Sequence, residues 1–146
     1  MNPDKLREEL EIDEGVKYEI YLDHLGYPTF GIGHLVRDTD PENGKPEGFP
    51  ISEARVEEAF KQDLLIVESE VSKLFPNFYD LPEDVQHVVC NMLFNLGSTR
   101  LGKFKNFRKA IADQNFAKAA VEGRDSRWYN QVTNRAERLM KRLENV

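Results

Sequence analysis

Glu14 and Asp23 are the residues of this chain whose type and placement suggest bond-breaking chemistry. Cutting a glycosidic bond requires a proton for the leaving oxygen, and negative charge or an activated water beside the anomeric carbon. Two carboxyl groups on fixed elements supply both. Glu14 falls at the end of a predicted helix and Asp23 at the end of a predicted strand. Taken alone the pair says little, because 12 acidic side chains fall within the first fifty residues and most such groups are solvated surface carboxylates. Gly31 and Gly33 read either as bends in a short strand or as places where a sugar polymer lies against bare backbone. Metal chemistry finds less support. His24, His34 and His87 lack ligand spacing, and Cys90 is the single cysteine, so no metal, cofactor or internal disulfide is expected. Cys90 sits in the apolar run 88–94 and reads as a small core residue.

The elements that must position these residues are legible from pattern. Residues 3–14 predict a short helix, with Pro3 in its first turn, Leu6, Leu10 and Glu14 four apart, and Gly15 as its stop. From Tyr18 to Leu35 aromatic and β-branched residues broken by Gly26 and Pro28 predict a small antiparallel sheet with tight turns. Residues 37–50 are dense in Pro, Gly, Asn and Asp and predict a loop. Ser52 suits an N-cap for a long helix whose stripe is Val56, Phe60, Leu64, Val67, Val71 and Leu74, ended by Pro76. Shorter helices are expected over about 83–96, 105–113, 116–123 and 133–145, separated by Gly97, Gly102 and Gly123. The expectation is an α+β, mostly helical protein forming one domain over 1–146. It has a sheet lobe over about 1–50, a linking helix over about 52–75 and a helical lobe over about 76–146, with the ligand cleft between lobes.

A chain of 146 residues that is 40% hydrophobic carries enough apolar material for a packed core. Met1–Leu10 mixes charges with its few apolar residues, which argues against a secretory signal, and no stretch is long enough to span a bilayer. The expected product is therefore made in the cytoplasm, does not insert in membranes, and is taken as a monomer. The net charge of −6 is unevenly spread: 5 basic and 12 acidic residues in 1–50, 4 and 9 in 51–100, and 11 and 5 in 101–146. The basic last third reads as a solvated helical surface. Overall acidity and the absence of a recognised motif argue against nucleic-acid binding.

The string Asp13-Glu14-Gly15, Asp23, Gly26-Tyr27 and Thr29-Phe30-Gly31-Ile32-Gly33-His34 resembles the active-site signature of the lysozymes of T-even and related tailed bacteriophages. That signature is Glu-Gly, seven residues, Asp, five residues, Thr-x-Gly-x-Gly-His. Ser126–Gln131 with Asn134-Arg135-Ala136 resembles the C-terminal lobe of the same family, and Asn91–Phe94 with Gly97 resembles its central helix. The resemblance covers roughly Leu6 to Arg142. It implies a muramidase acting on the glycan strands of peptidoglycan, by inversion, with carboxyl groups roughly 6.5–9.5 Å apart. By motif position, Glu14 is the general acid. Asp23 is the carboxylate that directs the attacking water or stabilises the cationic transition state, and Thr29 holds that water. A general acid must stay protonated near neutral pH, which burial favours and a cation opposes; the family's arginine, matching Arg135, stands beside the glutamate, so orientation is its expected role. The resemblance also implies an ion pair of His34 with Asp63 that is structural, sugar contacts at Leu35, Phe94 and Gly33, and a core position for Trp128. Release from the cytoplasm to the cell wall, in the host periplasm, would depend on a separate membrane-permeabilising protein.

Some positions depart from the family. A serine and an asparagine that bind substrate in the helical lobe align with Phe107 and Glu122, which puts distal sugar contacts in doubt. The 37–50 loop is shorter than in the T-even enzyme, and net acidity weakens attraction to anionic envelopes. A lysozyme-like module that binds peptidoglycan without cutting it is the alternative. Retention of Glu14, Asp23 and Thr29 together favours the enzyme.

Overall fold

The computed structural model describes residues 1–146. The protein is α+β and mostly helical. Its contacts divide the chain into a sheet unit, Arg7–Leu65, and a helical unit, Met1–Leu6 with Ile66–Val146.

The first helix, α1 (Pro3–Glu14), begins as the sequence predicts and gains a cap the pattern did not show. The Oδ1 of Asn2 accepts from the backbone N–H groups of Asp4 at 3.1 Å and Lys5 at 3.2 Å, while Pro3 occupies the position where a missing N–H costs nothing. Gly15 closes the helix at φ +75°, its N–H donating to the Glu11 carbonyl at 2.9 Å.

Three antiparallel strands follow in the order β1 (Lys17–Leu22), β2 (Pro28–Gly31) and β3 (His34–Leu35). Tyr21 faces Thr29, Leu22 faces Pro28 and Phe30 faces His34, with a bulge in β1 between Lys17 and Tyr21. The 37–50 loop does not simply leave the sheet. It returns along the outer edge of β1, where Ile20 N–H donates to Phe49 O at 2.9 Å and Ile51 N–H to Tyr18 O at 2.8 Å. Ile20, Phe30, Ile32 and Ile51 are buried.

The long helix α2 (Glu53–Leu74) starts on the expected cap, with Ser52 Oγ accepting from Arg55 N–H at 3.1 Å. Val56, Phe60, Val67 and Val71 of its stripe are buried. The division between units falls within this helix, after Leu65.

In the helical unit a short 3-10 turn (Phe78–Asp80) leads to α3 (Glu83–Gly102), which is broken at Gly97 by a non-helical φ of 77° and ψ of 161°. Then come α4 (Lys105–Ala112), α5 (Phe116–Arg124), α6 (Arg127–Gln131) and α7 (Thr133–Glu144). The sequence pattern missed α6, a single turn held by Ser126 Oγ on Tyr129 N–H and by burial of Trp128. Gly123 is not the helix stop expected of it. It lies inside α5, where a Cβ would meet Met140 Sδ of α7 at 2.3 Å, so it is a glycine because α7 comes close. Trp128 is 2% exposed and donates to Asn95 Oδ1 at 2.8 Å, the core role expected of it, and Cys90 is fully buried.

Candidate active site

Glu14 is the last residue of α1, so the helix stop at Gly15 fixes where its side chain leaves the backbone. It lies across the turn between β2 and β3. Gly33 there has φ +61°, and a Cβ built on it would stand 2.6 Å from Glu14 Oε2 and 2.9 Å from Glu14 Cδ. Any side chain at 33 would displace the carboxyl. Asp23 follows β1 and organises the hairpin turn. Its Oδ1 accepts from the N–H groups of Leu25 and Tyr27, both at 2.9 Å, and its own N–H donates to Tyr27 O at 2.9 Å. Both N–H groups fall on Oδ1, and neither engages Oδ2.

Thr29 is 4% exposed, and its Oγ1 donates to Tyr27 O at 3.0 Å. With its single proton committed there, the hydroxyl meets any further partner as an acceptor. Opposite Thr29 stands Tyr21, half-buried on β1. Burial pushes its phenol above the ordinary value, and the negative charges of Glu14 and Asp23 push it further.

His34 anchors β3 from beneath and is 1% exposed. Its Nδ1 lies 2.7 Å from Asp63 Oδ2 on α2, the partner expected from the sequence. Its Nε2 lies 2.7 Å from Asp40 Oδ2, a partner that was not expected. Carboxylates only accept, so a protonated ring donates from both nitrogens, one to each carboxylate. Burial alone would lower the pKa of His34; Asp63 and then Asp40 outweigh it, and the net direction is upward. Arg37 donates to Asp63 Oδ1 at 2.7 Å, and Arg55 binds Glu42 through two nitrogens at 2.9 Å each and Asp40 at 3.2 Å. Leu35 is half exposed at 50%. The sheet unit therefore gathers Glu14, Asp23, Thr29, Gly33, His34, Leu35 and Asp63.

Phe94, Arg135, Phe107 and Glu122 belong to the helical unit. Arg135 on α7 is buried, its Nε donating to Asn91 Oδ1 on α3 at 2.9 Å, and Phe94 is half-buried on the same helix as Asn91. Phe107 is 1% exposed and packs edge-on against Phe75 and Phe104, at 6.3 and 6.4 Å between ring centres. Its ring belongs to the core.

Residues 11–145 match the phage lysozyme family. The chain belongs to that family. Among its relatives is the pre-baseplate central spike protein Gp5 of Enterobacteria phage T4, 33% identical over 94% of this chain. The match spans only 27% of that spike protein's length. The Dictyostelium discoideum protein named Probable T4-type lysozyme 2 is 29% identical over 95% of this chain and 93% of its own length. The endolysin of Salmonella phage P22 is 30% identical over 62% of this chain and 59% of its own length. Within this phage lysozyme chain, sequence reasoning overlooked Asp40, Arg55 and Tyr21. Asp40 and Arg55 lie in or beyond a loop whose composition signals only irregular backbone. Tyr21 was legible as a strand residue two positions before Asp23, a spacing that puts both side chains on one side of a strand.

Proposed function

We propose that this chain is an inverting, endo-acting muramidase that hydrolyses the β-1,4 bond between N-acetylmuramic acid and N-acetylglucosamine in peptidoglycan. Glu14 acts as general acid, giving its proton to the leaving glycosidic oxygen. Water attacks the anomeric carbon from the opposite face and passes a proton to Asp23, so the two carboxyl groups exchange protonation states over one turnover. The observation that carries this reading is the hydrogen bonding of Thr29 and Asp23. An attacking water must give away its hydrogens and keep a lone pair for carbon. Thr29 Oγ1, its own proton spent on Tyr27 O, is an acceptor, and the turn that engages Asp23 Oδ1 leaves Oδ2 without a bond from it. Membership of the phage lysozyme family supports the same reading.

In this reading Gly33 and Leu35 contact the sugar. His34 with Asp63 ties the sheet to the middle of α2. The protein works without cofactor, as a monomer, on the cell wall after release from the cytoplasm, with another protein opening the membrane.

The test is loss of turbidity of outer-membrane-stripped bacterial cells with wild type and Glu14→Gln side by side, with products identified by mass spectrometry. Lysis by wild type alone, leaving reducing muramic ends, is the expected result. Lysis by Glu14→Gln would remove Glu14 as the acid. Glycan binding without cleavage by the folded wild type would make the chain a binding module.

A further inference from the structure

We propose that Tyr21 is a substrate-positioning residue whose phenolic O–H donates a hydrogen bond to the sugar at the bond being cut. The inference rests on the hydrolase reading above and adds to it a residue outside the Glu14, Asp23 and Thr29 set.

Residues directly opposite each other in an antiparallel pair project to one face, with Cβ atoms roughly 4.5–5.5 Å apart. Tyr21 faces Thr29 in this way, so the phenol and the buried hydroxyl share a side of the sheet. Asp23 lies two residues further along the same chain segment, and the phenol stands close enough to both Glu14 and Asp23 to feel their charge. A tyrosine kept for packing normally finds a protein partner for its hydroxyl. No protein hydrogen bond engages the hydroxyl of Tyr21, and the side chain is half-buried rather than covered. Its O–H thus has no protein partner and lies on the sheet face that carries Thr29.

The chemistry explains why a phenol suits this place. The transition state of glycoside cleavage carries positive charge at the anomeric carbon. A lysine or arginine here would oppose that charge and would also draw the proton from the general acid. A phenylalanine would offer nothing to a sugar hydroxyl or amide. A phenol beside two carboxyl groups stays protonated through the working range and supplies a donor without charge.

The experiment uses the full chain as wild type, Tyr21→Phe, Glu14→Gln and the Glu14→Gln/Tyr21→Phe double variant. Hydrolysis is measured on purified peptidoglycan and binding on soluble muropeptide oligomers. Removing one hydroxyl with no protein partner should leave the thermal midpoint unchanged. It should lower kcat/KM about tenfold, the scale of one lost hydrogen bond to substrate. The pH profile should drop as a whole without moving its limbs. Adding Tyr21→Phe to Glu14→Gln should weaken muropeptide binding. Unchanged kcat/KM and unchanged binding would overturn the proposal. A loss of activity accompanied by a lowered thermal midpoint would overturn it in favour of a packing role. If the wild type cuts nothing while the double variant still binds more weakly than Glu14→Gln, the hydrolase reading fails and the Tyr21 contact stands.

Discussion

Around the buried His34 in the sheet unit, buried Glu42 and Asp63 interlock with partly buried Asp40 and Arg55, whereas the helical unit fills its interior with Trp128, Phe75, Phe78, Phe107, Met92 and Ile111. Backbone geometry separates the two regions in the same way. Of the seven glycines at positive φ, Gly15, Gly26, Gly31, Gly33, Gly44 and Gly48 lie in the sheet unit, and Gly97 alone lies in the helical unit. The helical unit follows the ordinary rules of apolar burial and helix periodicity. The sheet unit adds a buried charged cluster and glycine turns, which shape its short strands through side-chain pairing and glycine's freedom at positive φ. Loss of a candidate catalytic carboxyl in the sheet unit should therefore act chiefly on turnover, and loss of a buried ring in the helical unit on stability.

The largest expected effect is on turnover. Glu14→Gln should reduce hydrolysis by roughly 10²–10⁴-fold, the usual contribution of a positioned general acid, with little change in thermal midpoint. Next comes a stability effect in the other region. Phe107→Ala should cost about 3–5 kcal/mol, because a fully buried ring leaves a cavity that helices cannot close, while turnover per folded molecule stays near wild type. Denaturant unfolding together with active-site titration would separate these readouts. A Phe107→Ala protein of normal stability but poor turnover would reverse the assignment of roles.

Gly33→Ala tests the point where the two kinds of effect meet. The new Cβ would enter the space of the Glu14 carboxyl, and an L-residue at φ +61° is strained by roughly 1–2 kcal/mol. Both hydrolysis and stability should fall, hydrolysis by about tenfold or more, since small misplacement of a catalytic group is costly. Full activity in Gly33→Ala would show that Glu14 works from another position.

Much of this division could be read from the residues. Gly15 after Leu6, Leu10 and Glu14 puts the acid at a helix end, and the run from Tyr18 to Leu35 has the composition of a hairpin sheet. What escaped the sequence has particular causes. The bond between His34 and Asp40 arises inside an irregular loop, and Arg55 reaches back to Asp40 and Glu42 from a helix face. No periodicity marks either partnership. A one-turn helix such as α6 is too short to show a hydrophobic stripe and exists through its Ser126 cap and the burial of Trp128. The aromatic at 107 was visible, but its burial depends on Phe75 and Phe104, which come from separate segments.

The smallest effect per step, and the most specific to the sheet unit, is a dependence of stability on pH. Two carboxylates grip His34, and Arg37 and Arg55 stand behind them. The native state therefore holds a proton on the ring above the ordinary value of 6.5. A raised folded pKa means that this contribution is complete below about 6.5, where the unfolded chain is protonated as well. It is lost as pH climbs through the folded value. Between those limits unfolding releases one proton, and stability should decline by up to about 1.4 kcal/mol per pH unit. Asp40 has the opposite sign. Burial would raise its pKa, but the Arg37 N–H, His34 and Arg55 outweigh that and hold it below its ordinary 3.8, so its contribution is present above that value and fades as pH falls further. The cluster should be at full strength from about pH 4 to about 6.5. Thermal unfolding of wild type and His34→Gln across pH 4–9 checks this, with a gap in midpoint that is widest in the acid half and narrows towards pH 9. A gap that widens with pH would mean that His34 is neutral in the folded protein, and that one of the two carboxylates carries the shared proton instead.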